Sequence, residues 1–267
     1  MRRIVLLGAI GLMIAGSAAA GETVVATHAV YAEFAQTVAG EDIDVVSIIP
    51  SGFCPSHYDL APSDLAAVLD AGLILYSGFE TWIETLVGAA GSAAVVMQLP
   101  GAWSTPDGAI DKVEAIRDAL IDRFPDLAAT FAANAAAYID QLREAGDDLQ
   151  QRAEAIGVAS VAVICMEWQA DFVSWLGFDV AGTYGVPEGL SLKDLVALSA
   201  MGRDAAAQLV IDNLQSGVDF GAKLAREVGA IHVVLSNFPG AMPYTTTVID
   251  LLTRNAEALF SAIEPLE

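Results

Sequence analysis

The segment LAATFAANAAAYIDQLREAGDDLQQRAEAI, residues 127–156, sets the large-scale organisation of this 267-residue chain. Its apolar and alanine positions recur at spacings of three, four and seven, which predicts one amphipathic helix. These positions are Leu127, Phe131, Ala135, Tyr138, Leu142, Ala145, Leu149 and Ile156. A helix of that length extends for about 45 Å and spans a whole domain. A shorter helix from about residue 107 precedes it, and Phe124-Pro125 separates the two.

Strand and helix patterns alternate on both sides of this helix. The patterns before it predict strands over 23–27, 43–49, 73–76 and 94–97, with helices over 29–39, 62–70 and 82–90. The patterns after it predict strands over 160–164, 178–181, 208–211 and 231–235, with helices over 170–176, 192–201, 220–228 and 248–263. Such β-α-β alternation predicts parallel sheets. We therefore expect an α/β protein of two lobes, each a parallel sheet flanked by helices, with one long backbone helix joining them.

The N-terminus resembles an export signal, so residues 1–20 are expected to be a signal peptide. Met1-Arg2-Arg3 is basic, residues 4–15 are apolar, and residues 17–20 are small. The remaining chain divides into an N-terminal lobe over 21–106, linking helices over 107–157 and a C-terminal lobe over 158–267. We expect export to the periplasm or cell surface, without a lipid anchor because no cysteine follows the signal. An uncleaved segment through Ala20 would tether the protein instead.

Composition excludes several classes of function. The formal net charge is −22, so nucleic acid is not an expected partner, since phosphate binding needs a basic face. The sequence has no G-x-S-x-G elbow, no H-E-x-x-H pair and no phosphate loop, so we do not expect an enzyme.

The loop PSGFCPSHYDLAPSD, residues 50–64, carries the most specific chemistry. Cys54 and His57 lie in this proline-rich loop directly after a predicted strand. Open α/β sheets bind ligands at the carboxyl ends of their strands. Thiolate and imidazole groups suit zinc and softer transition metals. A disulfide between Cys54 and Cys165 is the alternative in an exported chain.

Four motifs in the expected order give the chain a family resemblance. They are Pro62-Ser63-Asp64, Trp103-x-x-Pro106-x-x-Ala109-Ile110, Gly185-Val186-Pro187-Glu188-Gly189-x-Ser191-x-Lys193-Asp194-Leu195 and Gly229-Ala230-x-x-Val233-Val234-Leu235. Together they resemble the zinc/manganese-type metal-binding receptors of ABC importers over essentially the whole chain after the signal. The resemblance implies a metal held in the cleft between the lobes and delivered to a membrane permease with its ATPase. We expect the protein to be a monomer.

The usual ligands of such receptors are only partly present. The resemblance implies a first His directly after Asp-Pro, but the chain has Cys54-Pro55-Ser56-His57, which displaces His57 by one residue. The resemblance implies a second His two residues before Trp103, but that position is occupied by Gly101. The third implied ligand, a His or Glu, falls at Met166, between Cys165 and Glu167. The fourth, usually an Asp, falls at Ser236, beside Asn237. The usual four-ligand site is therefore not available.

A different ligand set is predicted at the same cleft. The candidates are Cys54, His57, Cys165, Met166 and Glu167, together with His28 at the end of the first strand. Zinc is favoured, with manganese, iron and copper left open. Core packing is the alternative role for Cys165 and Met166, and a hydrogen-bonded helix start is the alternative for His28. His232 lies mid-strand and is expected to be structural.

Two other functions stay open. Asn213 and Gln215 would place amides near the cleft, where they suit a small organic ligand or a metal chelate. Four further residues are expected in or around the cleft: Tyr58, Trp103, Ser236 and Asn237. A non-transport adhesin of the same fold is the other alternative.

Overall fold

The first half of the chain forms a four-stranded parallel sheet in the computed structural model, which describes residues 23–263. Its strands are β1 (Thr23–His28), β2 (Asp44–Ile49), β3 (Ala71–Tyr76) and β4 (Val95–Gln98). Their spatial order is β2-β1-β3-β4. The two central strands are nearly continuous apolar runs because helices cover both faces of the sheet.

The second half repeats this arrangement. Its strands are β5 (Ala162–Met166), β6 (Asp179–Tyr184), β7 (Leu209–Asn213) and β8 (Ile231–Leu235), in the order β6-β5-β7-β8 with every pair parallel. In both sheets the order in which successive strands are added reverses between the two central strands, β1 and β3 in the first sheet and β5 and β7 in the second. The loops that leave these strands in opposite directions open a crevice at the carboxyl edge. The predicted α/β class with two parallel sheets is confirmed.

Helices cover the sheets of both lobes. The first lobe contains α1 (Ala29–Ala39), α2 (Pro62–Leu69) and α3 (Ile83–Ala90). The second contains α6 (Glu167–Trp175), α7 (Leu192–Asp204), α8 (Asp219–Val228) and α9 (Val248–Ile263). None of the helices within residues 23–263 is both long enough and apolar enough to cross a membrane.

Two helices link the lobes, as the sequence predicted. They are α4 (Pro106–Arg123), capped by the Thr105 side chain, and α5 (Ala128–Ile156), which has 29 residues and ends at the left-handed Gly157. Apolar residues of α5 belong to one hydrophobic core that also includes side chains from both sheets. Where α5 crosses the start of α4, a Cβ on Gly146 would lie 2.8 Å from Pro106 Cγ. Gly146 therefore permits the close approach of the two helices.

The end of β5 differs from the prediction. We expected the strand to stop at residue 164 and the next helix to begin at residue 170. Instead β5 continues to Met166, and α6 begins directly at Glu167. Pairing with Thr183 and Ile211 on the two neighbouring strands holds Cys165 inside the sheet. The signal peptide predicted over 1–20 lies outside the described residues.

Candidate functional site

A cavity of about 760 Å³ lies where the carboxyl edges of the two sheets face each other. The loops after β2, β3 and β4 form its wall on the first lobe, and the loops after β5, β7 and β8 form its wall on the second. The residues that line it are Cys54, Pro55, Ser56, His57, Ser77, Gly78, Phe79, Gln98, Pro100, Gly101, Ala102, Trp103, Ser104, Glu167, Trp168, Asp171, Val186, Asn213, Gln215, Ser216, Asn237 and Phe238. Its position is the one that the strand order favours for a ligand.

The lobes touch each other around this cavity. Gln215 Nε2 donates a hydrogen bond to the carbonyl oxygen of Ser51 across the cleft (3.0 Å). Trp103 Nε1 donates to the carbonyl oxygen of Asn237 (3.2 Å). These contacts engage the lobes with each other while the cavity between them stays open.

Cys54 and His57 are placed in the cavity wall by a short 3-10 turn, Pro55–His57. Pro55 begins the turn, and its buried ring and its carbonyl, which accepts from Trp82 Nε1 (3.3 Å), fix the loop to the first lobe. The backbone N–H of His57 donates to the carbonyl oxygen of Cys54 (3.1 Å). The turn therefore presents a thiol and an imidazole from the same side of the cavity.

Two carboxylates face the cavity from the second lobe. Glu167 begins α6, and Asp171 follows four residues later, on the same face of the helix. Both side chains are exposed. Glu167 was a predicted ligand, whereas Asp171 was missed because no local sequence signal marks it.

Amide side chains form a connected network on the second lobe. Asn213 and Gln215 both line the cavity, where the sequence placed them. Gln215 Nε2 also donates to Ser236 Oγ (2.9 Å), and its Oε1 accepts from the backbone N–H of Asn237 (3.1 Å). Asn237 Oδ1 accepts from Gln169 Nε2 (2.8 Å). These bonds fix the orientation of the amides before any ligand arrives.

Cys165 and Met166 lie in the core and not in the cavity wall. Both are fully buried, and alternation along β5 directs them to opposite faces of the sheet. Burial raises the pKa of the Cys165 thiol to about 12, which disfavours the thiolate that metals require. Cys54 and Cys165 are free thiols and do not form a disulfide with each other. The expectation that both cysteines reach the cleft therefore holds for Cys54 alone.

His28 is buried behind the wall of the cavity. Its ring packs against Tyr31, Trp103 and Phe238 at centroid distances of 4.1, 4.8 and 5.3 Å. Neither ring nitrogen has a hydrogen-bond partner among the described residues. Burial lowers the pKa of His28 to about 4, although nearby Glu80 opposes this effect. His28 thus supplies a neutral ring to the packing, and the hydrogen bonds expected at the helix start are not formed.

Glu80 was missed in the sequence. Its carboxylate is buried and accepts hydrogen bonds from the Thr27 hydroxyl, from the Ser77 backbone N–H and hydroxyl, and from the Gly78 backbone N–H. Burial acts to raise the pKa of Glu80, but these donors and His28 lower it overall. Glu80 thereby fixes the loop that carries Phe79 into the cavity.

The other predicted residues have structural contacts. The Tyr58 hydroxyl donates to Asp64 Oδ2 (3.1 Å), and Ser236 is buried behind Gln215. His232 Nε2 lies 2.7 Å from Oδ2 of the buried Asp212. Tyr58, Ser236 and His232 do not line the cavity, whereas Trp103 does.

The donor groups do not converge as in a closed metal centre. Within the part of the chain that the structure describes, no three His, Cys, Asp or Glu side chains lie close enough together to hold a metal ion. A structural zinc site generally has four such donors, and a catalytic site has about three. The cavity therefore offers space and isolated donors in place of a compact cage.

A family comparison identifies the protein class. Residues 24–262 match the model of the family described as zinc-uptake complex component A, periplasmic. The chain belongs to this family. The family consists of substrate-binding proteins of ABC importers and not of enzymes. The expectations of the receptor family and of a non-enzyme are thus confirmed.

Individual relatives are named for several metals. The chain is 29% identical over 182 residues to the manganese-binding lipoprotein MntA of Halalkalibacterium halodurans, covering 61% of either chain. It is 30% identical over 149 residues to the iron-binding protein YfeA of Yersinia pestis, covering 48% of either chain. Both matches span less than two thirds of the relative. The name "lipoprotein" differs from the expectation that this chain has no lipid anchor.

A solved structure shares the fold. It is a cadmium-bound periplasmic metal-binding protein from Candidatus Liberibacter asiaticus, with a TM-score of 0.80 and 18% identity. The match covers 91% of this chain and all of the other one. The likeness supports the arrangement of two sheets joined by a long helix.

Proposed function

We propose that this protein is the extracytoplasmic substrate-binding component of an ABC importer for a transition metal. It captures its cargo in the cavity between the lobes and presents it to a membrane permease, which works with an ATPase subunit. The observation that carries the proposal is the cavity itself. In a chain that belongs to a family of metal-uptake receptors, it opens at the carboxyl edges of both sheets and exposes Cys54 and His57. The protein acts as a monomer.

Zinc is the favoured metal because of the donor types in the cavity. Cys54 and His57 provide sulfur and nitrogen, which zinc and copper(I) accept more readily than manganese does. Glu167 faces the cavity from the opposite lobe and adds negative charge, which favours a cationic cargo. His28, Cys165 and Met166 contribute packing around the site, since all three are buried.

Native mass spectrometry of the reduced protein tests the proposal. The protein is exposed in turn to zinc, manganese, iron(II) and copper(I), and the retained metal is counted. One zinc or copper ion per chain is the expected result. The double variant Cys54→Ser/His57→Ala should weaken retention by about 100-fold or more, because about 3 kcal/mol is lost with two direct ligands.

A histidine outside the cavity provides the control. His232→Ala removes an imidazole that contacts Asp212, so it should lower the free energy of unfolding by about 1–3 kcal/mol and leave metal retention unchanged. Equal retention by the double variant and the parent protein would refute the assignment of Cys54 and His57. Retention of no metal, either as the bare ion or as a complex with a small chelator, would refute metal transport.

A further inference from the structure

The cavity is larger than a bare ion needs, and this feature bears on the form of the cargo that the proposed function requires. About 760 Å³ remains between lobes that already make hydrogen bonds across the cleft, from Gln215 to Ser51 and from Trp103 to Asn237. Phe79 and Trp168, from opposite lobes, also pack edge to face at 5.3 Å. Binding sites for organic molecules have volumes of about 300–1,000 Å³.

Further closure of the lobes would disturb the core. The two sheets share one hydrophobic cluster that runs through α5, with Leu75 from the first lobe and Ile211 from the second both fully buried in it. Protein interiors are close-packed and resist continuous deformation. The space in the cleft is therefore filled by cargo more readily than it is removed by rotation of the lobes.

The walls of the cavity suit an organic molecule. Four aromatic rings line it, those of Phe79, Trp103, Trp168 and Phe238. Amide groups lie between them, and the amide of Gln215 is held in place by hydrogen bonds. Apolar surfaces with a few fixed polar groups are typical of small-molecule sites. A hydrated ion gains little from such walls.

The charged side chains of the cavity wall indicate the net charge of the metal complex that it can bind. Glu167 and Asp171 face the cavity, and no lysine or arginine of residues 23–263 belongs to its lining. The ammonium of Lys112 is buried behind the wall, where it donates to the carbonyl oxygen of Pro100, and it does not belong to the lining. An anionic chelate, such as a metal polycarboxylate, would be repelled by the two carboxylates that do face the cavity. Neutral or cationic complexes of a divalent metal arise with neutral nitrogen donors such as amines and imidazoles.

From these features we infer that the cargo is a transition-metal complex of a small nitrogen-donor ligand, neutral or positively charged overall. The aromatic walls and the amides hold the organic part. Cys54 and His57 lie on one loop and reach the metal at the coordination positions that the chelator leaves open. Because the chelator supplies the remaining donor atoms, two soft donors of the protein are enough, although no three donor side chains converge within residues 23–263.

Calorimetric titration of the metal-free full chain tests this inference with four probes. They are zinc alone, zinc with excess L-histidine as a neutral complex, zinc with ethylenediamine as a cationic complex, and zinc with citrate as an anionic complex. Both nitrogen-donor complexes should bind at least about ten-fold more tightly than zinc alone, a gain of about 1.4 kcal/mol. Native mass spectrometry should show protein, zinc and chelator together. Zinc citrate should not bind.

Two double variants test whether the carboxylates of the cavity wall act on the cargo through their charge. Glu167→Gln/Asp171→Asn should weaken binding of the ethylenediamine complex by about ten-fold and of the neutral histidine complex by less than about three-fold, because only the former carries net charge. The control Asp147→Asn/Glu154→Gln removes two exposed carboxylates from α5, outside the cavity, and should change neither. Equal effects of the two double variants would overturn the assigned role of Glu167 and Asp171.

The outcomes distinguish this inference from the proposed function. Tight binding of zinc alone, with histidine and ethylenediamine acting only as competitors, would overturn the chelate and leave metal transport standing. Preferential binding of zinc citrate would overturn the charge argument. Failure of all four probes, together with failure of manganese, iron(II) and copper(I) alone, would overturn the proposed function as well.

Discussion

Glu33 connects three helices, and its carboxyl group should make the free energy of unfolding depend on pH. Its Oε1 accepts a hydrogen bond from the Thr37 hydroxyl (3.1 Å) on α1. Its Oε2 accepts from the Tyr138 hydroxyl (3.0 Å) on α5 and from the backbone N–H of Val248 (3.4 Å) at the start of α9. One side chain therefore links the first lobe, the backbone helix and the second lobe.

Burial raises the pKa of Glu33 from its ordinary 4.5 to about 7, with a smaller contribution from Asp250, although the three hydrogen-bond donors oppose the shift. A folded-state pKa above the unfolded value means that the folded protein holds this proton more tightly. The resulting stabilisation is complete below about pH 4.5 and is lost as the pH rises through about 7. Raising the pKa from 4.5 to about 7 corresponds to at most about 3 kcal/mol, and solvent screening of the partly exposed carboxyl group lowers this figure.

Urea unfolding of the parent protein and of Glu33→Gln at pH 5, 6, 7 and 8 measures this effect. The amide cannot ionise, so the free energy of unfolding of the variant should rise relative to the parent by up to about 2.5 kcal/mol between pH 5 and 8. Glu41→Gln, an exposed change near the end of the same helix, should give a curve parallel to that of the parent. A parallel curve for Glu33→Gln as well would refute the reasoning.

Two further predictions test packing and accessibility. Gly146→Ala should lower the free energy of unfolding by about 1 kcal/mol, because crowding against Pro106 outweighs the gain in helix propensity; Gly88→Ala, with open space around it, should raise the free energy by up to about 1 kcal/mol. Urea titrations that rank the two variants the other way would contradict this. A thiol reagent should label Cys54 in the native protein and Cys165 only after unfolding, since the second thiol is fully buried. Equal labelling rates would show that the core around β5 opens readily.

The fold was predictable because its signals are local and repeated. The spacing of apolar residues defined the buried face of α5, and continuous apolar runs defined the central strands of both sheets. The bounds of β5 were not predictable in the same way. Cys165 and Met166 are apolar enough to continue a strand and are also plausible ligands, so only pairing with neighbouring strands decides their role.

The cavity was predictable only where a ligand signal coincided with a strand end. Cys54 and His57 satisfied both conditions, and they line the cavity. Phe79, Asp171 and Phe238 also line it, but they carry no local signal. Their positions depend on the packing of one lobe against the other. Glu33 was missed for the same reason, because its partners Tyr138 and Val248 lie 105 and 215 residues further along the chain.

The cavity is spacious in part because small residues occupy positions where the family resemblance implies larger ligands. The resemblance places histidines at Ser56 and Gly101, and both residues line the cavity. Two imidazoles at these positions would supply metal donors and would fill part of the cavity. The apolar positions that build the sheets and α5 are separate from these loop positions, so small residues there are compatible with the same fold. Few donors combined with free volume are what the inferred chelated cargo requires.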